Sequence, residues 1–194
     1  MIQALYDWTM RLAAHRRAKV ALFAVSFAES SFFPIPPDVL LIPMILADRA
    51  RAWFYATLCT VASVLGGVAG YLIGLLLFDL VGRPLLALYG YGARFEQFAA
   101  SYNEWGAWIV MMGGLTPFPY KVITIASGVT HLDIWVFLIA SVLSRGGRFF
   151  IVAGLLYLFG PPIRSFIEQR LGLVAAVGFA LLVGGFVVAR LLAG

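Results

Sequence analysis

The chain has 194 residues, of which 62% are hydrophobic and 12% are charged, and its mean hydropathy is +0.96. Soluble domains are roughly half apolar and a quarter charged, so this composition excludes a soluble globular protein and indicates an integral membrane protein. The net charge of +5 is not gathered in a basic cluster on a soluble module, which argues against nucleic-acid binding and favours a signal for membrane topology.

The N-terminal part of the chain predicts an amphipathic helix followed by a helical hairpin. Residues 1–19 place apolar side chains on one helical face and most basic ones elsewhere, as in a helix that lies in the membrane interface. Residues 20–47 are apolar apart from Glu29 and Asp38, but the uninterrupted run 20–33 is shorter than the roughly 20 residues that a span requires. We therefore expect a re-entrant hairpin rather than one transmembrane helix.

Prolines define the tip of this hairpin. Pro34, Pro36 and Pro37 fall between the two acids, and the helix must break there because proline lacks an N–H and clashes with the preceding turn. Unpaired backbone groups in hydrocarbon are costly, so broken helices at membrane depth occur where protein buries them or water reaches them. The break between Glu29 and Asp38 is therefore the first candidate for a functional site.

A long apolar helix and a polar linker come next. Residues 52–78 carry no charge and are long enough to cross a bilayer with some tilt. Glycines recur within this segment at helical spacing, which favours close packing against another helix, either in the same chain or in a homo-oligomer. Residues 79–104 are the most polar segment and predict an interfacial linker between two halves of the molecule.

The second half repeats the organisation of the first. Residues 105–131 predict a second re-entrant hairpin whose tip holds Pro117 and Pro119, and 134–159 predict a second transmembrane helix that a pair of prolines ends. Residues 171–193 predict a final transmembrane helix. We thus expect an all-α polytopic membrane protein whose single domain takes up the whole chain.

Alignment of the two halves supports an internal repeat. At an offset of 83 residues, Pro36 aligns with Pro119 and Asp38 with Lys121. At an offset of 80 residues, the long helices align three glycine pairs, Gly66 with Gly146, Gly67 with Gly147 and Gly74 with Gly154. Because one crossing separates the two hairpins, we expect them to enter from opposite membrane faces and to form an inverted repeat of the kind found in transporters.

The distribution of cations indicates the orientation of the chain. With this topology, eight of the 14 lysines and arginines lie on the N-terminal side, three lie on the other side and three lie within the membrane. Cytoplasmic loops of membrane proteins carry an excess of basic residues. The N-terminus is therefore expected in the cytoplasm.

Five ionisable residues are predicted at membrane depth and form the candidate site: Glu29, Asp38, Lys121, Arg145 and Arg148. A charge at mid-membrane costs about 2.5–3.5 kcal/mol, so five unpaired charges would cost on the order of 12–18 kcal/mol and must instead pair or contact water. Two interpretations stay open. One is a buried ion-pair network that only holds the hairpins together, and the other is a site for the headgroup of an amphiphile.

A headgroup site would give these residues distinct roles. The three cations outnumber the two acids, which suits a phosphate, and Arg145 and Arg148 share one helical face, so their guanidinium groups are expected to bind phosphate oxygens. Glu29, an acid in apolar surroundings, is expected to exchange a proton during transport. Asp38 either caps the returning helix or pairs with an arginine.

The chain resembles the DedA family of bacterial membrane proteins, which shares the VTT (SNARE-associated) domain, and it is most similar to the small YqaA-type branch. The segments that carry the resemblance are FAESSFFPIPPDVLLIPM, GGVAGYLIG, TPFPYKVITIASG and SRGGRFF. The resemblance implies two opposed re-entrant hairpins in the bacterial inner membrane. It also implies flipping or scrambling of lipids such as undecaprenyl phosphate or phosphatidylethanolamine, linked to the proton-motive force, with Glu29 and Asp38 at the family's acidic positions.

The second hairpin departs from the family pattern. Many members carry an arginine before the proline and another after it, whereas here Gly114 stands before Pro117 and Lys121 takes the later position. Lysine is a point charge rather than a planar fork. We infer that Arg145 and Arg148 supply guanidinium groups from the following helix.

The leading hypothesis is a flippase-like or scramblase-like transporter that moves a phosphate-bearing lipid, such as a polyprenyl phosphate or a phospholipid, between leaflets. A proton-coupled transporter of small ions or solutes and a structural membrane protein are the alternatives. An enzyme is not expected, because the serines have no histidine partner and His131 beside Asp133 predicts an interfacial pair rather than a triad. The lone Cys59 provides no disulfide or thiolate cluster, so no metal or cofactor is expected.

Overall fold

The computed structural model of the protein describes residues 17–32, 36–116 and 119–169. Most of the predicted amphipathic helix over 1–19 and all of the predicted transmembrane helix over 171–193 lie outside these residues. The described part is helical and contains no strand. In chain order its helices are α1 Ala18–Ser31, α2 Asp38–Ala47, the 3-10 helix Arg49–Arg51, α3 Ala52–Leu77, the π-helical turn Phe78–Gly82, α4 Arg83–Tyr89, α5 Gly92–Glu104, α6 Gly106–Leu115, α7 Tyr120–Val129 and α8 Ile134–Gln169.

The first helix pair, α1 and α2, breaks in the segment where the prolines occur. α1 ends at Ser31, and the Phe32 N–H closes its last turn on the Ala28 carbonyl oxygen at 2.9 Å. α2 begins at Asp38, directly after Pro37, because proline's fixed φ suits the start of a helix and its missing N–H is not needed there. The pair therefore provides a chain break with an acid on each side.

α3 is the central helix, because α1, α7 and α8 all pack against it. Its inner face consists of small residues at helical spacing: Cys59, Ser63, Gly66, Gly70 and Gly74. A side chain at Gly66 would overlap with the backbone carbonyl of Phe27 in α1, and one at Gly74 would overlap with that of Ile125 in α7. Glycine thus lets two neighbouring backbones approach α3 closely, as at other small-residue interfaces between membrane helices.

Three short helical segments connect α3 to the second half of the chain. The π-helical turn leads into α4, which Gly90 ends in the left-handed conformation with a φ of 69°. α5 packs back through Phe95, whose ring stacks on that of Phe78 with centroids 4.5 Å apart. Burial raises the pKa of the Tyr102 phenol, so its hydroxyl stays neutral and shares a hydrogen bond of 3.1 Å with the Ser127 Oγ.

The second helix pair, α6 and α7, has the same arrangement of helix, break and helix. α6 ends at Leu115, Thr116 is extended, and α7 begins at Tyr120 after Pro119. α7 packs against α3 and α6 packs against α8, whereas in the first pair α1 packs against α3 and α2 against α8. Each long helix therefore packs against at least one helix from each pair.

α8 is longer than the sequence predicted. It runs without interruption from Ile134 to Gln169, rather than ending before Pro161 and Pro162. A proline's φ is already helical, and its cost inside a helix comes from the missing N–H and from the clash of its ring with the carbonyl group four residues earlier. Prolines are tolerated inside membrane helices where neighbouring groups satisfy the freed carbonyl groups. The proline pair accordingly lies within the helix, just beyond its apolar part, Ile134–Gly160.

The outer surface of the two long helices is apolar. Their exposed side chains include large hydrophobic ones such as Leu72, Leu76 and Ile139, whereas small and polar side chains lie inside. Two segments, Arg49–Gly82 and Ile134–Gly160, are long and apolar enough to cross a membrane. Long helices that expose large apolar side chains are typical of a protein surrounded by lipid, so the structure agrees with the composition in indicating a membrane protein.

Candidate functional site

Four of the five predicted site residues are joined in two ion pairs between the first helix pair and α8. The Arg145 Nη2 donates to the Glu29 Oε2 at 2.7 Å, and the Arg148 Nη2 donates to the Asp38 Oδ2 at 2.5 Å. One acid lies near the end of α1 and the other at the start of α2. Because Arg145 and Arg148 are three residues apart, a single face of α8 holds both sides of the chain break.

The Glu29–Arg145 pair is the more buried of the two, with side-chain exposures of 15% and 1%. The Arg145 Nε also donates to the Ser63 Oγ at 2.6 Å. The Ser63 Oγ lies 2.7 Å from the Ser30 Oγ, which donates to the Glu29 Oε2 at 3.1 Å. Since Ser30 uses its one proton for Glu29, Ser63 is the donor to Ser30. These four residues therefore form a closed ring of hydrogen bonds that joins α1, α3 and α8.

Two aromatic rings cover the guanidinium group of Arg145. Its central carbon is 4.9 Å from the ring centroid of Tyr120 in α7 and 4.8 Å from that of Phe149 in α8. The Tyr120 hydroxyl donates to the Ser141 Oγ at 2.5 Å, which fixes the first ring. A cation over a ring face is attracted by the ring quadrupole, more strongly where water is excluded. Charge, hydrogen bonds and rings thus hold Arg145, although its Nη1 forms no hydrogen bond within the described residues.

The Asp38–Arg148 pair is more accessible, with side-chain exposures of 20% and 24%. Within the described residues the hydrogen bond of the Asp38 side chain goes to Arg148, so of its two predicted roles the structure shows pairing with an arginine. Within the described ranges, Arg148 forms no hydrogen bond other than the one through its Nη2. No described residue occupies its other N–H donors, which can bind a second anionic group.

Lys121, the fifth predicted residue, forms no ion pair in the part of the chain that the structure describes. It lies in the first turn of α7, directly after the second chain break, and its side chain is half-buried. Three residues on, the Thr124 Oγ1 donates to the Lys121 carbonyl oxygen at 2.9 Å and lies 3.1 Å from the Ser30 carbonyl oxygen. Thr124 thus ties the first turn of α7 to the end of α1, which brings the two chain breaks together.

The prolines predicted at the hairpin tips border these breaks. Pro36 and Pro37 lie immediately before α2, and Pro119 lies immediately before α7. Pro34 and Pro117 lie outside the described residues. The described prolines therefore mark the positions at which both returning helices begin.

Sequence reasoning missed the uncharged part of the site. Ser30, Ser63 and Tyr120 surround the charged groups and are fully buried, yet no charge or proline marks them in the sequence. Ser63 could have been found from its spacing, because it lies three residues before Gly66 on the face where α3 contacts its neighbours. No comparable signal identifies Tyr120.

A separate polar group lies at the C-terminal end of α3. The Arg83 Nε pairs with the Asp79 Oδ1 at 3.1 Å, and the Arg83 Nη2 lies 3.2 Å from the His131 Nε2. His131 is thus close to these two residues, whereas the sequence predicted that it pairs with Asp133. Asp133 instead caps α8, because its Oδ1 accepts hydrogen bonds of 2.8 and 3.0 Å from two N–H groups in the first turn.

The chemistry available to the predicted site is electrostatic. Within the described ranges no cluster of three or more His, Cys, Asp or Glu side chains is suited to holding a metal ion. The lone Cys59 is buried among apolar side chains. The four paired residues form two neutral pairs, and Lys121 adds a positive charge in the first turn of α7, next to Tyr120, whose ring contacts Arg145. An excess of positive charge in this region can attract an anion.

Comparison with known proteins reveals similarity over most of the chain. A family model described as the VTT domain matches residues 35–158, which include Asp38, Lys121, Arg145 and Arg148. An uncharacterized protein from Haemophilus influenzae is 40% identical over 151 residues, which are 78% of this chain and 78% of that protein. An uncharacterized HI0703 homolog from Histophilus somni is 36% identical over 167 residues, which are 86% of this chain and 87% of that protein. No solved structure shows significant similarity.

Proposed function

The chain belongs to the VTT domain family, and on this premise we propose that it is a membrane transporter that moves a phosphate-bearing lipid between leaflets. The lipid is a polyprenyl phosphate or a phospholipid, and the membrane is the bacterial inner membrane with the N-terminus in the cytoplasm. The names of the two relatives specify no activity, so the proposal depends on the family and on the geometry of the site.

The observation that carries this proposal is the meeting of two helix breaks beside accessible charges. The first break presents the part-exposed pair Asp38–Arg148, and the second presents Lys121 without an acid. A phosphate is attracted by the lysine and competes with Asp38 for the guanidinium group of Arg148. Charge-assisted hydrogen bonds from both cations would then replace part of the water that a headgroup loses on entering the membrane.

The surroundings of these charges favour a lipid over a fully soluble anion. The polar groups lie between helices whose outer faces are apolar, with exposed side chains such as Val61 and Leu65 on α3. A headgroup can therefore occupy the polar interior while its acyl or prenyl tails stay in the bilayer. The polar headgroup then stays among polar groups, and the apolar tails stay in hydrocarbon.

We propose that the two helix pairs enter the membrane from opposite faces as an inverted repeat. The pattern of helix contacts supports this arrangement. α1 and α7, which come from different pairs, pack on α3, and α2 and α6 pack on α8. Such repeats place substrate sites at broken helices near the bilayer midplane and expose them alternately to each side. Shifts of the two pairs against the long helices would open the site to one leaflet at a time.

Glu29 is the group through which a proton gradient acts in this mechanism. Its carboxylate accepts hydrogen bonds from both Arg145 and Ser30. Protonation would remove the negative charge opposite Arg145 and leave a buried cation that needs another anion. The uncompensated charge of Arg145 would then attract a lipid phosphate bound at Arg148, one helical turn away, without direct contact between that phosphate and Arg145.

Two alternatives remain, and one of them has a specific observation in its favour. The closed ring of Glu29, Arg145, Ser63 and Ser30 is almost inaccessible, as expected of groups that only hold helices together. A purely structural protein would use Asp38, Arg148 and Lys121 in the same way. A proton-coupled transporter of small ions or solutes would use them for ion flux without lipid movement.

Lys121→Gln tests the lipid-transport proposal most directly, because the described structure gives this side chain no partner whose loss would unfold the protein. We expect the variant to reduce transbilayer movement of labelled undecaprenyl phosphate or phospholipid in liposomes by about tenfold or more, since a charge-assisted hydrogen bond to phosphate is lost. Lys121→Arg should retain movement. Each protein is to be assayed with and without a pH gradient.

Lys19→Gln is the matched control, because Lys19 is the chain's other lysine and lies over the Phe54 ring, away from the breaks. It should leave lipid movement unchanged. If folded native protein moves neither lipid faster than empty liposomes do, the proposal fails. Ion flux without lipid movement would favour the second class of transporter, and unchanged lipid movement in Lys121→Gln would remove this residue from the mechanism.

A further inference from the structure

Arg49 lies on the short 3-10 helix between α2 and α3, and its side chain packs against α8. Its Nε is buried and forms no hydrogen bond within the described residues. A Cβ at Gly160 would lie 3.1 Å from this Nε, so the missing side chain at Gly160 makes room for the arginine. The guanidinium carbon is 5.7 Å from the ring centroid of Tyr157, about one turn earlier on α8. α8 therefore holds the inner edge of the guanidinium group in place.

Among the residues that the structure describes, no acid neutralises the positive charge of Arg49. Asp48, which precedes it, pairs with Arg51 through an Nε–Oδ2 contact of 3.2 Å. Arg49 itself takes part in no ion pair within the described ranges, and its two terminal nitrogens are neither hydrogen-bonded nor among the buried unpaired atoms. The outer edge of the guanidinium group is therefore accessible and presents N–H donors from two nitrogens.

Arg49 lies at the level in the membrane where lipid headgroups are expected. The apolar segment Arg49–Gly82 begins here, and Ile134–Gly160 ends here. Headgroups surround a membrane protein where its apolar segments end. The Trp53 ring lies 5.8 Å from that of Tyr157, and both are partly exposed, as is typical of aromatic side chains at headgroup level.

We propose that Arg49 binds the phosphate of an anionic phospholipid that remains bound to the protein and is not transported. Tyr157 and Trp53 lie beside its headgroup. Two nitrogens of a guanidinium fork match two phosphate oxygens, and a fork already held against α8 loses little freedom on binding. A free phosphate offers the same oxygens, but only a lipid also covers exposed apolar side chains such as Leu158 with its chains. This site is separate from the ion pairs of the predicted site and does not depend on lipid transport.

The test is a titration of purified protein in neutral detergent, with the unfolding temperature followed by tryptophan fluorescence. We expect phosphatidylglycerol to raise the unfolding temperature, because a ligand that binds only the folded state stabilises it. Phosphatidylcholine and inorganic phosphate should have little effect at equal concentration. Arg49→Gln should weaken the apparent affinity for phosphatidylglycerol about tenfold through loss of the bidentate contact.

Two further variants make the titration specific. Arg51→Gln removes a cation two positions away and should keep the affinity within about twofold, because an exposed surface charge contributes little. Gly160→Ala shifts the Arg49 side chain by a few tenths of an ångström without changing any charge, so it should weaken binding by less than Arg49→Gln does, and it also serves if that variant does not fold. The proposal is overturned by an absent response to phosphatidylglycerol, by an equal response in Arg49→Gln, or by an equal response to inorganic phosphate. None of these outcomes bears on lipid transport.

Discussion

Arg145 and Arg148 are neighbours on one helical face, but their environments assign them different roles. Arg145 is 1% exposed and is enclosed by an acid, a serine and two rings, so little else can reach it. Arg148 is 24% exposed and has one partner, Asp38. The first arginine is therefore suited to holding helices together, and the second is suited to exchanging partners.

Because of this contrast, we expect neutralising Glu29 to destabilise the protein more than neutralising Asp38. Glu29→Gln should lower the free energy of unfolding by about 3–5 kcal/mol, because it leaves the Arg145 charge buried without compensation. Asp38→Asn should cost about 1 kcal/mol, since water can solvate Arg148 in its place. Denaturant unfolding of both variants in the same detergent measures the difference.

A double variant provides the control for this order. Glu29→Gln combined with Arg145→Met removes both charges and should recover part of the stability lost in Glu29→Gln alone. Equal costs for the two acids, or a larger cost for Asp38→Asn, would contradict the assignment of roles. So would a double variant that is less stable than the single one.

The charged residues could be predicted from the sequence, but their pairing could not. Glu29, Asp38 and the two arginines stand out because charges are rare in an apolar chain. Which acid contacts which arginine depends on how α8 lies against the first helix pair, and no local pattern encodes that register. The burial of hydroxyl groups such as that of Ser63 could not be predicted either, since serine is common in both polar and apolar surroundings.

At the scale of elements, α3 and α8 use their glycines differently although the sequence aligns them. Gly66 and Gly74 of α3 face backbone carbonyl groups of α1 and α7 at distances that exclude any side chain. On α8, a Cβ at Gly146 would have its nearest neighbour, the Thr60 Cγ2, at 3.5 Å, which is an ordinary contact. Close backbone packing is therefore a property of α3.

Alanine substitutions distinguish the two helices. Gly66→Ala and Gly74→Ala should each destabilise the protein by about 1–3 kcal/mol or prevent folding, because α1 or α7 must move away from α3. Gly146→Ala should be neutral or should stabilise by about 0.5–1 kcal/mol, since alanine favours the helix and meets no clash. Thermal unfolding in detergent compares the variants, and equal harm at Gly66 and Gly146 would contradict the packing difference.

Most helix positions follow from local sequence, whereas the end of α8 does not. The sequence predicted a break at the prolines between Glu29 and Asp38, and α2 begins at Asp38, since a proline run and an apolar run meet there. The pair Pro161 and Pro162 carries the same local signal for a helix end, yet α8 continues through it. Proline permits a helix to begin or to continue, and the neighbouring elements decide which occurs.

At the scale of the whole molecule, two arginines on either side of α3 report how the chain is oriented in the membrane. Arg51 lies before α3 and Arg94 lies after it, and both are exposed. If α3 crosses the bilayer, these residues are on opposite sides. From the excess of cations on the N-terminal side of the proposed topology, we expect Arg51 on the cytoplasmic side.

Cysteine labelling of cells tests this orientation. Arg94→Cys should react with a membrane-impermeant maleimide once the outer membrane is opened, whereas Arg51→Cys should react only after the inner membrane is also permeabilised. The native chain is the control, because its one cysteine, Cys59, is buried and should not react in either case. Labelling of both positions from the same side would exclude a crossing by α3, and the reverse pattern would invert the topology.

The distance along the chain between the ion-paired residues affects how the protein is made. Glu29 and Arg145 are separated by 116 positions, and Asp38 and Arg148 by 110. The ribosome delivers both acids to the membrane long before their partners exist, and each unpaired charge costs about 2.5–3.5 kcal/mol in the bilayer. We therefore expect the first helix pair to stay in a wetter environment until α8 has been synthesised. Among the described elements α8 is the last that the ion pairs need, and a chain that ends before α8 has acids without these counterions.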